Sequence, residues 1–174
     1  ALVRRMSEGE MHDADCLPDS PEKALIGHAV EDTLLYGLPL PALTPATVDQ
    51  LTSLLPAYAV AENPLDYTTI GVRQPGLIGE LLLSLLADPN IGNLVLAIPV
   101  GPTMAQRDKA EHIVPAIARA TKPAVLVLTG DNGPIEPFFT EAITASGVPL
   151  FRSPDRALRA LAHVAAFGEA LQRA

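Results

Sequence analysis

Three short loops carry residues whose types and spacing could do chemistry: "ENPLDYTTIG", "VGPTMAQRDK" and "LTGDNGPIE". In the second, Gly101 lets the backbone approach a ligand closely, Pro102 presets the turn, and Thr103 and Met104 open a helix. The first N–H groups of a helix have no partner within it and favour an anion, phosphate above all. No lysine or arginine stands inside the turn to complete a P-loop, and the glycine spacing does not match one. In the first loop Pro64 biases Asn63 out of the helical region, and the carboxylate of Asp66 can accept turn N–H groups or cap the next element. Thr68 and Thr69 can do the same more weakly. In the third, Gly130 and Gly133 flank an Asp-Asn pair ending in Asn132, which is usual turn chemistry, with an anion-binding nest as the alternative. From spacing alone the ordinary turn is favoured over a site at each loop.

The four histidines, His12, His28, His112 and His163, are scattered. No HExxH, no Cys/His cluster and no Ser-His-Asp order appears, so no metal ligand and no catalytic residue is assigned. His28 follows a glycine and could accept a phosphoryl group, but a histidine on a helix face is more often structural.

These loops need a frame to hold them. A chain of 174 residues is one good-sized domain able to bury a substantial core, and 48% hydrophobic with 18% charged residues is globular composition. A net charge of -8 argues against nucleic acid and against an anionic membrane surface, and serves solubility. With Cys16 alone no internal disulfide can form, which fits the cytoplasm. The apolar runs "LIGELLLSLLA" and "NLVLAIPV" are too short to span a bilayer.

Residues 1–23 show neither helical nor strand periodicity and read as a tail or an altered first strand. From residue 24 onward helices and strands alternate. "SPEKALIGHAVEDTLLYG" reads as a helix stopped by Gly37, and Thr44 caps a second that has Pro45 at its first position. "YAVAENPLDYT" predicts a short strand. "QPGLIGELLLSLLADPN" predicts a helix, and "GNLVLAIPV" a strand buried on both faces. "MAQRDKAEHIVPAIARAT" is amphipathic, "KPAVLVLTG" is a second buried strand, and "GPIEPFFTEAITASG", "VPLFRS" and "PDRALRALAHVAAFGEALQRA" continue the alternation. The pattern predicts a flavodoxin-like doubly wound parallel sheet in a three-layer αβα sandwich of four to five strands. The fifth strand would have to lie within residues 1–23, where the pattern does not support it. In such sheets ligands sit at the carboxyl ends of the strands, where all three loops fall.

Taken in order, "GLPLPALTPATVDQLTSLLPAYAVAENPLDYT", "LLADPNIGNLVLAIPV", "KPAVLVLTG" and "SGVPLFRSPDRALRALAHV" resemble the succinyl-CoA-ligase-like flavodoxin domain of NDP-forming acyl-CoA synthetases. That family includes ADP-forming acetyl-CoA synthetases and feruloyl-CoA synthetase-like proteins. The resemblance covers about residues 24–171, and residues 63–66 are its most specific part. It implies a share in a ligase reaction, in which acid, CoA and NTP give acyl-CoA, NDP and phosphate by way of a phosphohistidine. It also implies that the turn of Gly101, Pro102, Thr103 and Met104 forms half of a phosphohistidine cradle, with Asn63, Asp66 and Thr68 supporting it. Gly130, Asn132 and Gly133 are a second candidate anion loop.

The family's first strand and its Thr-Asn-Ser-Gly-Gly-like loop are not recognisable in "VRRMSEGEMHDADC". Its CoA-binding Rossmann domain, its phosphorylatable histidine and its ATP-grasp domain are not in this sequence either. The resemblance therefore implies a chain inactive alone that binds no cofactor by itself, with CoA, NTP or NDP and Mg belonging to the complete enzyme. Its partners would be the Rossmann and ATP-grasp domains or subunits, and a homodimer is compatible. The alternative is a stand-alone flavodoxin-like small-ligand binding or subunit-interaction module. For flavin, the absence of Trp and of a hydroxyl-rich phosphate loop at the amino end speaks against that alternative.

Overall fold

Two runs rich in Val, Leu and Ile form the parallel strands β1 (Leu94–Pro99) and β2 (Ala124–Thr129) in a computed structural model that describes residues 35–67, 70–130 and 133–173. A third strand, β3 (Leu150–Phe151), pairs with the far side of β2, giving the order β1-β2-β3, all parallel. Register runs from Leu94 opposite Ala124 to Pro99 opposite Thr129, so both strands end at the same level. That shared end places the loops at Gly101 and Gly130 side by side.

Helices flank both faces. Ahead of β1 lie α1 (Pro45–Leu54), the single turn α2 (Ile70–Arg73) and α3 (Pro75–Ala87). Between β1 and β2 runs α4 (Thr103–Asp108), a π-helical turn (Lys109–Ile113) and α5 (Val114–Ala118). After β2 come α6 (Pro137–Ser146) and, beyond β3, α7 (Pro154–Arg173). Alternate residues of the strands serve the two layers, as the pleat requires. Leu94, Leu96, Ile98, Leu126 and Leu128 pack with Ile78 and Leu82 of α3, Ile113, Ile117, and Phe139 and Ile143 of α6. On the opposite face Val125 and Val127 pack with Leu38 and with Ala157, Leu158 and Leu161 of α7. Each such side chain, fully buried, contributes about 1.5–3 kcal/mol of transfer free energy before entropy is counted. The α/β fold with a parallel sheet between helices is the one the alternating pattern predicts.

Two expectations need correction. The strand expected in "YAVAENPLDYT" does not form. Residues 57–67 are irregular, Tyr58 and Val60 are 70% and 64% exposed, and a cis peptide bond joins Asn63 to Pro64. Pro64 has no N–H to give a ladder, and Ala59, Ala61, Leu65 and Tyr67 pack on Leu51, Leu55 and Leu81 instead of on a sheet. The described sheet therefore has three strands where four to five were expected. The segment expected to hold the first strand, and most of the helix expected to end at Gly37, lie outside the described residues.

The second correction concerns "MAQRDKAEHIVPAIARAT", which is not uniformly α-helical. Pro115 lacks an N–H and its ring would clash with a carbonyl four residues back. The chain meets it with a widened turn in which the Val114 N–H bonds Lys109 O. The short strand expected in "VPLFRS" forms as β3, two residues long between Pro149 and Pro154. Thr44 likewise caps α1 as its type predicts, its side chain accepting from the Thr47 N–H at 3.4 Å with Pro45 at the first helical position.

Candidate functional site

At the carboxyl end of β1 the chain must turn from the sheet layer into the helix layer within three residues. Gly101 does this with φ of 72°, in the left-handed region that side-chain-bearing residues rarely adopt. A Cβ there would stand 3.2 Å from Ala105 Cβ and 3.2 Å from Lys109 Nζ. Pro102 then takes an extended conformation (φ -69°, ψ 166°) and helix α4 starts at Thr103. The first intrahelical bond runs from Gln106 N–H to Pro102 O at 3.1 Å, so the N–H groups of Thr103, Met104 and Ala105 precede it. Gly101→Ala is expected to lower stability by about 1–2 kcal/mol through backbone conformation alone. Urea unfolding at neutral pH checks this, and an unchanged midpoint would contradict the turn described.

The second loop comes to meet the first. Gln106 is 1% exposed, and its side chain spans the gap. Its Nε2 donates to Gly101 O at 3.1 Å and to Pro134 O at 2.9 Å, while Oε1 accepts from the Glu136 N–H at 2.8 Å. Two carbonyls and one N–H dictate which end of the amide points where. Across the same gap Thr103 Oγ1 donates to Glu136 Oε1 at 2.7 Å. The Gly133 N–H donates to Gly130 O at 3.2 Å, and a Cβ at Gly133 would lie 3.4 Å from Val100 Cβ. The structure thus brings Gly101, Pro102, Thr103 and Met104 together with Gly130 and Gly133.

Cations come to this edge from elsewhere in the chain. Lys109, half-buried, donates from Nζ to Val100 O at 2.9 Å, directly beneath the turn. Burial lowers its ammonium below the ordinary lysine range, with the neighbouring Asp108 carboxylate acting the other way. Arg152, just after β3, donates to Gly130 O at 2.7 Å, and the Arg107 guanidinium lies 5.2 Å from the centre of the Phe138 ring.

The first candidate loop is held differently. Asn63 Nδ2 donates to Pro41 O at 3.0 Å, tying residues 63–66 to the connector before α1. Asp66 is exposed, and beside it Tyr67 is pushed up to about 12 by burial, with the Asp66 charge adding to the shift. No hydrogen bond described links Asn63 to the Gly101 turn. Thr68 and Asn132 lie outside the described residues.

Among the described residues no group of three His, Cys, Asp or Glu side chains could hold a metal ion. Nor is any helix among them long and apolar enough to cross a membrane. A groove of about 420 Å³ lies between α1 and α3, lined by Gln50, Ser53 and Glu80, and a smaller one of about 240 Å³ borders Lys122, Ser146 and Gly147. Neither touches the rim formed by Gly101 and Gly130.

No family model matches the chain. It is 29% identical over 144 residues to a trans-feruloyl-CoA synthase from an unknown prokaryotic organism, a match covering 82% of this chain and 20% of that protein. It is 28% identical over 122 residues to the alpha subunit of an ADP-forming acetate–CoA ligase II of Pyrococcus furiosus, covering 68% of this chain and 26% of the subunit. The chain is a relative of the NDP-forming acyl-CoA synthetases. Its fold agrees with that of the dinucleotide-forming acetyl-coenzyme A synthetase 1 of Candidatus Korarchaeum cryptofilum, solved in the apo form and with phosphate and ADP. The TM-score is 0.63 at 21% identity in both cases, over 82% of this chain. A Pyrococcus horikoshii OT3 protein gives 0.61 at 24% identity over 77% of the chain. This synthetase relative spans about a fifth to a quarter of the length of the curated proteins it matches.

Reading the sequence alone missed Gln106, Lys109, Glu136 and Arg152. Gln106 did carry a signal: it occupies the same buried stripe as Ile113 and Ile117, seven and eleven residues on, where a polar residue is out of place. The other three carried none, since each reaches the loop edge through tertiary packing.

Proposed function

We propose that this chain is the succinyl-CoA-ligase-like flavodoxin domain of an NDP-forming acyl-CoA synthetase, and that its Gly101 turn contributes half of a phosphohistidine site. The observation that carries the reading is the turn itself. A positive-φ glycine ends a buried parallel strand and leads straight into a helix start, in a chain related to trans-feruloyl-CoA synthase and acetate–CoA ligase. Gly101 gives a phosphoryl group room to approach the backbone, and the N–H groups of Thr103, Met104 and Ala105 face it with the positive end of the helix. Lys109 sits beneath the turn as a fixed cation. Glu136 has the opposite sign, so it must remain on Thr103 Oγ1 or move when the group arrives. Gly130 and Gly133 form the neighbouring wall, and the resemblance adds Asn132 to that loop and assigns Asn63, Asp66 and Thr68 a supporting role.

On this reading the chain does not complete the ligase reaction alone. CoA, a nucleoside di- or triphosphate and Mg are bound in the complete enzyme with the help of a CoA-binding Rossmann domain and an ATP-grasp domain or subunit, in the cytoplasm. The carboxylic acid and nucleotide chemistry belong to those partners.

The test uses antibodies raised against this chain to blot and capture the native protein from cells that make it. The expected band lies far above 18.3 kDa, or at 18.3 kDa with co-captured larger subunits. The captured material should take acid-labile, base-stable phosphate from labelled ATP and release it on adding CoA and a carboxylic acid. A lone 18.3 kDa band without label would overturn the proposal.

A further inference from the structure

We propose that Gln106 is a positioning residue that makes the Gly101 turn and the segment 133–136 a single mechanical unit. Its side chain holds Gly101 O, Pro134 O and the Glu136 N–H at once, bridging 5, 28 and 30 residues of sequence. Gln106 is 1% exposed, so its amide cannot exchange these partners for water without opening the structure. The Glu136 N–H is the group just ahead of α6, and the Glu136 side chain does not cap that helix. Gln106 therefore sets where α6 begins as well as where the Gly101 carbonyl points. A displacement of one loop must break a buried hydrogen bond or carry the other loop along. That both loops serve one site rests on the function proposed above; the coupling itself does not.

A glutamine with no such role would be replaceable by any residue of its volume. Gln106→Met keeps the volume and removes all three bonds. Gln106→Glu keeps the acceptor for the Glu136 N–H but sets a carboxylate against the carbonyls of Gly101 and Pro134. Once protonated, that carboxyl can donate to one of them, and burial raises the pH at which this occurs. The charged groups at this edge among the described residues are Lys109, engaged with Val100 O, Asp108 beside it, Arg152, engaged with Gly130 O, Arg107, over the Phe138 ring, and Glu136, engaged with Thr103 Oγ1. The unsubstituted chain measured over the same pH range corrects for their titration.

Amide exchange protection, followed by NMR on the 174-residue chain, is the readout. In the unsubstituted chain the Gln106 side-chain NH₂ and the Glu136 N–H are expected to exchange slowly. In Gln106→Met the amides of Gly133 and Glu136 and that of Gln106 lose protection together, by about tenfold for bonds of this kind. Leu126 and Val127 in β2 follow only the global stability. In Gln106→Glu both loops lose protection at neutral pH and recover it as the pH falls. Loss confined to one loop, loss equal to that in β2, a fast-exchanging Gln106 amide in the unsubstituted chain, or a pH-independent Gln106→Glu would each overturn the proposal. None of these outcomes depends on phosphate labelling, so the two proposals fail separately.

Discussion

Replacing Phe139 with alanine is expected to lower the unfolding free energy by about 3–5 kcal/mol, the range for emptying a large aromatic site in a close-packed core. Phe139 is 0% exposed and belongs to the cluster formed by β1, β2, α3 and Ile113. It is the third residue of α6, so the cavity opens beneath the helix start that Gln106 fixes and Glu136 joins to Thr103. Stability and site geometry should therefore fail together. Urea unfolding gives the first quantity. The second is read from the Thr103 and Gly133 amide shifts in conditions where the variant is still folded. The adjacent Phe138→Ala is the control. Its ring is half-buried and stacks with Arg107, an exposed cation–π contact worth about 0.5–1 kcal/mol. If Phe139→Ala costs no more than Phe138→Ala, α6 is not anchored as described.

The second large effect sits at the opposite end of the sheet. Asp88, 1% exposed, ends α3 and staples it to the connector before α1. Its Oδ2 accepts from Thr44 N–H at 2.8 Å and Thr44 Oγ1 at 3.0 Å, and its Oδ1 from Asn90 N–H at 2.8 Å. Burial alone would raise this carboxyl. The hydrogen bonds from Thr47, Thr44 and Asn90 outweigh that and bring it from 3.8 to about 2. Because the folded value lies below the unfolded one, the stabilisation is present above about pH 4 and is lost as the pH falls towards about 2; a shift of this size is worth about 2 kcal/mol. Asp88→Asn replaces one acceptor oxygen with a donor that faces other donors. At pH 7 it should cost about 2–3 kcal/mol, as for a charge-assisted bond lost in a buried site. The difference from the unsubstituted chain should shrink from pH 4 to pH 3. A difference that stays constant over that range would show that the carboxylate's charge is not what matters.

The features legible without the structure are those whose causes are local. "NLVLAIPV" and "KPAVLVLTG" are uninterrupted apolar runs bounded by turn residues, and their burial on both faces needs only a parallel sheet between helix layers. Thr44 with Pro45 caps a helix by its own short-range chemistry. Gly101 and Gly130 both take positive φ where strands end, so the position of the candidate site was legible too. "YAVAENPLDYT" has the apolar content of a strand, but whether it pairs depends on a neighbouring edge and on N–H groups that Pro64 lacks. It packs on α1 and α3 instead.

By itself, then, the sequence determined the alternation of helices and strands, the three turn loops and the kinship with acyl-CoA synthetases, because those depend on residue type and order over a few positions. Tertiary structure alone decided that Gln106 would join two loops 28 to 30 residues apart, that Lys109 and Arg152 would reach carbonyls at the ends of β1 and β2, and that Glu136 would face Thr103. Those contacts exist because β1 and β2 end in register. The apolar pattern of each strand specifies its register once a neighbour is chosen, but which strands become neighbours is decided only when both helix layers pack on the sheet.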